Sequence, residues 1–369
     1  MTVGTEHEYS INDRTFKPLP VSDQIIKKIS GRIESEILFG EVKLSKELQK
    51  TVIEIIPRQP ENDLIAIEKQ IYHGIQKFYS VFRDQYTLLG LGMHPTLTLD
   101  QTRVWDHDDG EYYEVYNRLF NIQQHGWLNI QALQINISYV KDRELINLYN
   151  RIRSLIPFLV AVTAASPVVE GRLTGNVDNR LLYYQKNQDT IPLICDRIIP
   201  DKIHAVSDYR TFQEKVFSQL KKQEADILCE EWVNSSGIIV RFSRHCLEIK
   251  ALDEQECVHS DMAVCAFTRS LVRCRTLPVP TDREVLIDLL NEVIKEGTST
   301  IRNDLERLYS IAWDHATDDE KKYLPVIQKR IINGNLAELI RDRFENDGDI
   351  FPIMADMAQC LRHNHSYGC

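Results

Sequence analysis

The segment TVGTEHEYSI (2–11) alternates as a strand does and sets Glu6 and Glu8 two residues apart. Side chains two apart on a strand share a face, so both carboxylates point the same way. The pattern recurs along the chain. TVIEIIP (51–57) carries Glu54 between apolar neighbours, LQINISY (133–139) carries Gln134 and Asn136, and CLEIKAL (246–252) carries Glu248 and Lys250 on the face of Cys246. Neighbouring carboxylates repel and raise one another's pKa, and a carboxylate in an apolar strand is costly to bury without a positive partner. Alternation alone also marks a half-solvated sheet. Its recurrence in four segments suits a sheet face that holds a hard divalent cation, which takes oxygen ligands, together with a nucleotide polyphosphate.

The rest of the chain narrows the options. There is no G-x-x-x-x-G-K-[ST] loop and no G-x-G-x-x-G, so a nucleotide would be held by metal and basic side chains rather than by a glycine cradle. A formal charge of −10 argues against a general nucleic-acid surface. The first ten residues carry neither a basic nor an apolar signal region, and the longest apolar run, IPFLVAVTAA (156–165), is too short to span a membrane and reads as a buried helix. A cytoplasmic protein without membrane or nucleic-acid partners is expected. Eight cysteines without a C-x-x-C pair read as free thiols. The tail RHNHSYGC brings His363, His365 and Cys369 close together, which could catch a metal but reads first as a frayed terminus.

Strands are expected at 2–11, 35–44, 51–57, 86–92 and 133–140, and one or two hairpins within 227–252 around the turn Asn234-Ser235-Ser236-Gly237. Helical spacing covers 61–86, 110–124, 142–165 and 257–275. After the break at Pro278-Val279-Pro280, helices are expected near 281–297, 301–315, 318–332, 335–346 and 350–362. This is an α+β layout, a curved and mainly antiparallel sheet covered on one face by helices. Residues 1–275 would form the core and 281–362 a helical part packed on it, together making one domain. The acidic, aromatic stretch Trp105–Tyr113 reads first as a solvated loop, with a partner contact or a lid as alternatives.

The order of these features resembles glutamate–cysteine ligase family 2, the carboxylate–amine ligases of the glutamine-synthetase-like superfamily. Gly4-Thr5-Glu6-His7-Glu8 is similar to the family's G-x-E-x-E strand, and Gly40-Glu41-Val42 with Val52-Ile53-Glu54-Ile55 to its second acidic strand. Gly90-Leu91-Gly92-Met93-His94-Pro95 resembles its G-x-G-T-H-P turn. Ala164-Ala165-Ser166-Pro167 with Thr174-Gly175 and Arg180 resembles the A-x-S-P…T-G…R segment. Arg241-Phe242-Ser243 followed by Leu247-Glu248-Ile249-Lys250 resembles the R-x-S…V-E-V-R pair.

The resemblance implies a six-stranded antiparallel funnel with ATP at one end and amino-acid substrates at the other. It also implies a γ-glutamyl-type amide made through an acyl phosphate, from glutamate and an amine such as that of cysteine. Carried onto this chain, Glu6, Glu8, Glu54 and Glu248 would be Mg²⁺ ligands, with Gln134 and Asn136 beside them. Arg241 and Lys250 would contact phosphate, and Arg180 a substrate carboxylate or phosphate; a surface ion pair is the plain alternative for either arginine. His94 before Pro95 reads as a turn residue. Three departures bear on substrate choice. Gln134, Asn136 and Ser138 stand where the family carries H-V-H-V-G, Lys250 where arginine is usual, and Met93 where threonine precedes the histidine. Amides offer oxygen but do not titrate, and lysine lacks the bidentate fork. The departures leave the acceptor open, along with a degenerate relative that binds nucleotide as a regulatory protein. A homo-oligomer is also left open.

Overall fold

The computed structural model describes residues 1–83 and 85–368, so Cys369 of the tail lies outside the described residues. In chain order the first half runs β1 (Val3–Asn12), α1 (Ser22–Ser30), β2 (Glu36–Phe39), β3 (Val42–Lys46), β4 (Val52–Pro57), α2 (Leu64–Phe82), β5 (Thr87–Leu89), α3 (Gly110–Phe120), α4 (His125–Leu128), β6 (Ala132–Ser138) and α5 (Asp142–Thr163). There follow β7 (Val168–Val169), β8 (Arg172–Leu173), α6 (Asn179–Tyr184), α7 (Val206–Lys222), β9 (Ile238–Arg241), β10 (Cys246–Asp253) and α8 (Val258–Arg273). Six helices close the chain: α9 (Arg283–Glu296), α10 (Arg302–His315), α11 (Asp318–Lys321), α12 (Leu324–Asn333), α13 (Leu336–Asp347) and α14 (Phe351–His363).

The main sheet has the order β2-β3-β4-β1-β6-β10-β9, every pairing antiparallel. An eighth strand, β5, pairs with Ser10–Asn12 of β1, on the edge that β6 occupies further along at Val3–His7. The expected six strands are therefore eight. The segment 35–44 splits at Gly40 (φ 67°) into the β2–β3 hairpin, and the short β5 fills the space that β6 leaves beside β1. The hairpin turn expected at Asn234–Gly237 lies instead at Phe242–His245, closed by His245 in the left-handed region. Asn234 folds back on its own loop, its side chain accepting from Ser236 N at 2.9 Å. The helix expected over 318–332 is two helices, because Pro325 in the first turn of α12 lacks the donor that would continue α11.

Helices cover one face of the sheet. In α2, Asp63 caps the start by accepting from Ile65 N at 2.9 Å, and Ile67, Ile71, Ile75, Phe78 and Phe82 recur at helical spacing on the buried side. A Cβ on Gly74 would sit 2.7 Å from Val42, so glycine lets α2 close on β3. Helix α5 is long and apolar enough to cross a membrane, but it lies in the core against β10, α8 and α9. None of the seven described cysteines is in a disulfide. One hydrophobic core runs from Val3 through Leu133, Phe158 and Phe267 to Ile327 and Leu361, spanning the sheet and the C-terminal helices.

Candidate active site

The strand register gathers the oxygen-bearing side chains. Glu8 on β1 stands opposite Glu54 on β4, Glu6 opposite Gln134 on β6, and Asn136 opposite Glu248 on β10. Directly opposed residues share a face, so all six lie on one side of four adjacent strands, away from the helical layer. Alternation within each segment put them on one face of that segment, and pairing made it the same face.

Each has defined partners. Glu8 is buried and accepts from Ala132 N at 2.9 Å and from Gln134 Nε2 at 3.1 Å. Glu6 is half-buried and accepts from Asn136 Nδ2 at 3.2 Å, with Arg244 at 3.2 Å. In this arrangement the two amides brace the two glutamates. Glu248 pairs with Arg241 and lies 3.5 Å from Lys250 Nζ. Arg180 is fully buried, held to Asp253 at 2.6 Å and donating to the Lys250 carbonyl at 3.3 Å. Neither arginine is in a surface pair. His94 is wholly buried in its turn, where Nδ1 accepts from Thr96 N at 3.2 Å.

Glu47 was not anticipated. It follows β3 in LSKELQK, where no alternating apolar context distinguishes it from a surface residue. Carboxylate oxygens of Glu8, Glu47 and Glu54 all lie within 4.8 Å of one another. Burial, then Glu6, Glu47 and Glu8, holds the Glu54 carboxyl well above the usual range, and burial with Glu47 pushes Glu8 up to about 8. Burial would raise Glu248 too, but Lys250 and Arg241 hold it low. One end of the floor thus crowds carboxyl groups whose charged form is disfavoured, and the other pairs its carboxylate with cations.

Over the Glu8 and Gln134 part of this floor lies a cavity of about 450 Å³, whose lining does not include Glu6, Glu54, Asn136, Arg241 or Glu248. Glu8, Glu47, Gln134, Arg180 and Lys250 line its polar side, and Tyr112, Tyr113, Tyr116, Trp127, Tyr184 and Trp232 its wall. The stretch Trp105–Tyr113 is more than a solvated loop. Trp105 is buried, with Nε1 donating to Asp108 at 3.0 Å, and Asp109, Tyr112 and Tyr113 line the cavity. The aromatic wall comes from loops and helices far apart in sequence, which no local pattern connects.

Residues 2–356 match glutamate–cysteine ligase family 2. The chain belongs to that family. It is 44% identical over 367 residues to an uncharacterized protein of Archaeoglobus fulgidus, covering 99% of this chain and 100% of that one. Two solved structures share the fold at low identity. One is a glutamate–cysteine ligase from Francisella tularensis in complex with AMP, with a TM-score of 0.61 and 11% identity, covering 100% of this chain and 89% of that chain. The other is a bifunctional glutathione synthetase from Pasteurella multocida, with a TM-score of 0.60 and 13% identity. The match covers 98% of this chain and 51% of the Pasteurella chain, about half its length. Family membership and the ligase fold support a ligase of the carboxylate–amine type.

Proposed function

We propose that this chain is an ATP-dependent ligase that joins the side-chain carboxylate of glutamate to an amine. The γ-phosphoryl group of ATP passes to the carboxylate oxygen and ADP leaves. The amine nitrogen then attacks the acyl carbon, phosphate departs with the C–O bonding pair, and the amine loses a proton. The observation that carries this reading is the crowding of Glu54 against Glu8 and Glu47, two carboxylates that line a cavity together with Arg180 and Lys250.

The donor set fits magnesium. Three carboxylates within 4.8 Å, two buried and one half-buried and all three with raised pKa values, form an oxygen-only site that a hard divalent ion would relieve. Glu6, Glu8, Glu54 and Glu248 would hold Mg²⁺, joined by Glu47. The ion would supply neutralisation of the nucleotide phosphates. Gln134 and Asn136 orient Glu8 and Glu6, or turn an amide oxygen to the ion. Arg241 and Lys250 face the transferring phosphoryl group, and Arg180, pinned by Asp253, receives a substrate carboxylate. No side chain acts as a nucleophile, so rate comes from positioning and electrostatics. The acceptor is cysteine or another amino acid or amine, and the reaction would run in the cytoplasm.

The test is Mg²⁺-dependent ADP formation with glutamate and a panel of amines, products read by mass. A γ-glutamyl product that vanishes in Glu54→Ala and Glu248→Ala supports the ligase and identifies its acceptor. MgATP binding by calorimetry without turnover on any pair would favour the nucleotide-binding regulatory relative. No binding at all would overturn the reading.

A further inference from the structure

On β1 the residues between the site glutamates point the other way. His7, between Glu6 and Glu8, faces the helical layer and meets Glu254, just beyond β10, and Asp261 of α8. All three are fully buried. We propose that His7, Glu254 and Asp261 form a second metal site, structural and separate from the cavity, for a divalent transition ion such as zinc.

The spacing argues for it. His7 Nδ1 lies 3.4 Å from Glu254 Oε1 and 3.2 Å from Asp261 Oδ2, and the ligand atoms of the three residues all lie within 4.8 Å of one another. A tetrahedral ion with bonds of 2.0–2.1 Å has edges of about 3.3 Å between ligand atoms. The outer contacts are those of a metal ligand set. His7 Nε2 is engaged by Thr5 Oγ1 at 2.9 Å, which leaves Nδ1 facing the carboxylates, and Glu254 Oε2 accepts from Glu8 N at 3.2 Å, which aims Oε1 inward. A second observation is independent of that spacing. Among the described residues Asp261 Oδ1 has no hydrogen-bond partner, Oδ2 meets only the ring nitrogen His7 Nδ1, and the buried hydroxyl of Tyr9, next on the same strand face, is unsatisfied. Buried polar groups are almost always satisfied, so orphans around one point indicate something bound between them. Charge is consistent with it: a neutral imidazole, two carboxylates and a divalent ion sum to zero. Mixed nitrogen and oxygen donors suit zinc or its neighbours better than magnesium.

Elemental analysis of the full chain after gel filtration in chelator tests this. We expect about one equivalent of a transition ion per chain, kept in Glu54→Gln and reduced at least tenfold in Asp261→Asn. Cobalt(II)-loaded wild-type protein should show the intense visible bands of a four-coordinate site, a readout that needs no variant to fold. Less than a tenth of an equivalent in wild type, with no cobalt spectrum, would overturn the proposal in favour of a proton shared between the two acids. An ion lost in Glu54→Gln and kept in Asp261→Asn would overturn it too, assigning the metal to the cavity.

Discussion

At the scale of single residues, burial decides what a side chain can do. His94 is the clearest case, since burial pushes its pKa down to about 4. The unfolded imidazole titrates near 6.5, so between those values the unfolded chain takes up a proton that the folded one refuses. Stability therefore falls as pH drops from about 6.5 to about 4, by roughly 3 kcal/mol over the whole window. His94→Asn keeps an acceptor for Thr96 N without the titration, so urea unfolding at pH 7 and pH 4.5 should show a smaller loss for the variant; an equal loss would contradict the assignment. Glycine contacts are as local. A Cβ on Gly92 would sit 2.1 Å from Asp253 Oδ2, whereas one on Gly110 meets nothing within 4 Å. Gly92→Ala should cost about 1–3 kcal/mol and lower ligase turnover by displacing the carboxylate that holds Arg180, while Gly110→Ala should change neither. Thermal melts and the ADP assay read both.

At the scale of elements, one extra residue in β10 arranges both faces. Ile249 pairs with Ile135 and Leu252 with Leu133, so three steps on β10 match two on β6. That bulge reverses the alternation. Glu248 before it and Asp253 after it both face the site, and Glu254 turns to the helical side to meet His7. Counting by twos from Glu248 would have put Glu254 on the site face, which is why Asp253 escaped a reading based on alternation. The bulge therefore builds the buried Arg180–Asp253 pair. Asp253→Asn strands a buried guanidinium and should cost about 3–5 kcal/mol. Denaturant unfolding of Asp253→Asn, Arg180→Met and the double variant measures the coupling, and additive effects would mean the pair is not a unit.

At the scale of the molecule, the C-terminal helices close the fold. Leu336, Ile340, Ile353, Met354 and Met357 pack on Leu89, Leu91, Ala165 and Val168, which flank the strand ends and the Gly90–Pro95 turn. Asn335 Nδ2 donates to the Ala161 carbonyl at 2.8 Å, and Ala337 N to Ala164 at 2.9 Å. With one core shared from Val3 to Leu361, a single cooperative transition is expected by near- and far-UV signals together. A chain stopped at Gly334 should be insoluble or melt lower, by about 2 °C for each kcal/mol of lost packing. Two separate transitions in the intact chain would instead make the helical part an independent unit.

Much of this was legible in the chain itself. Periodicity of two placed Glu6, Glu8, Glu54, Gln134, Asn136 and Glu248 on strand faces, and periodicity of 3.6 placed the long helices, because both patterns are local consequences of backbone geometry. The order of short motifs carried the family. What no local pattern holds is pairing: which strand lies beside which, where a bulge inverts the alternation, and which loop closes a cavity. Glu47, Asp253 and the wall of Tyr112, Trp127 and Trp232 come together only through contacts between distant segments. The sequence alone determined the elements and the chemistry each could offer. Only the tertiary structure decided which of those groups meet, because register and packing are set by the burial of the whole core rather than by any one stretch.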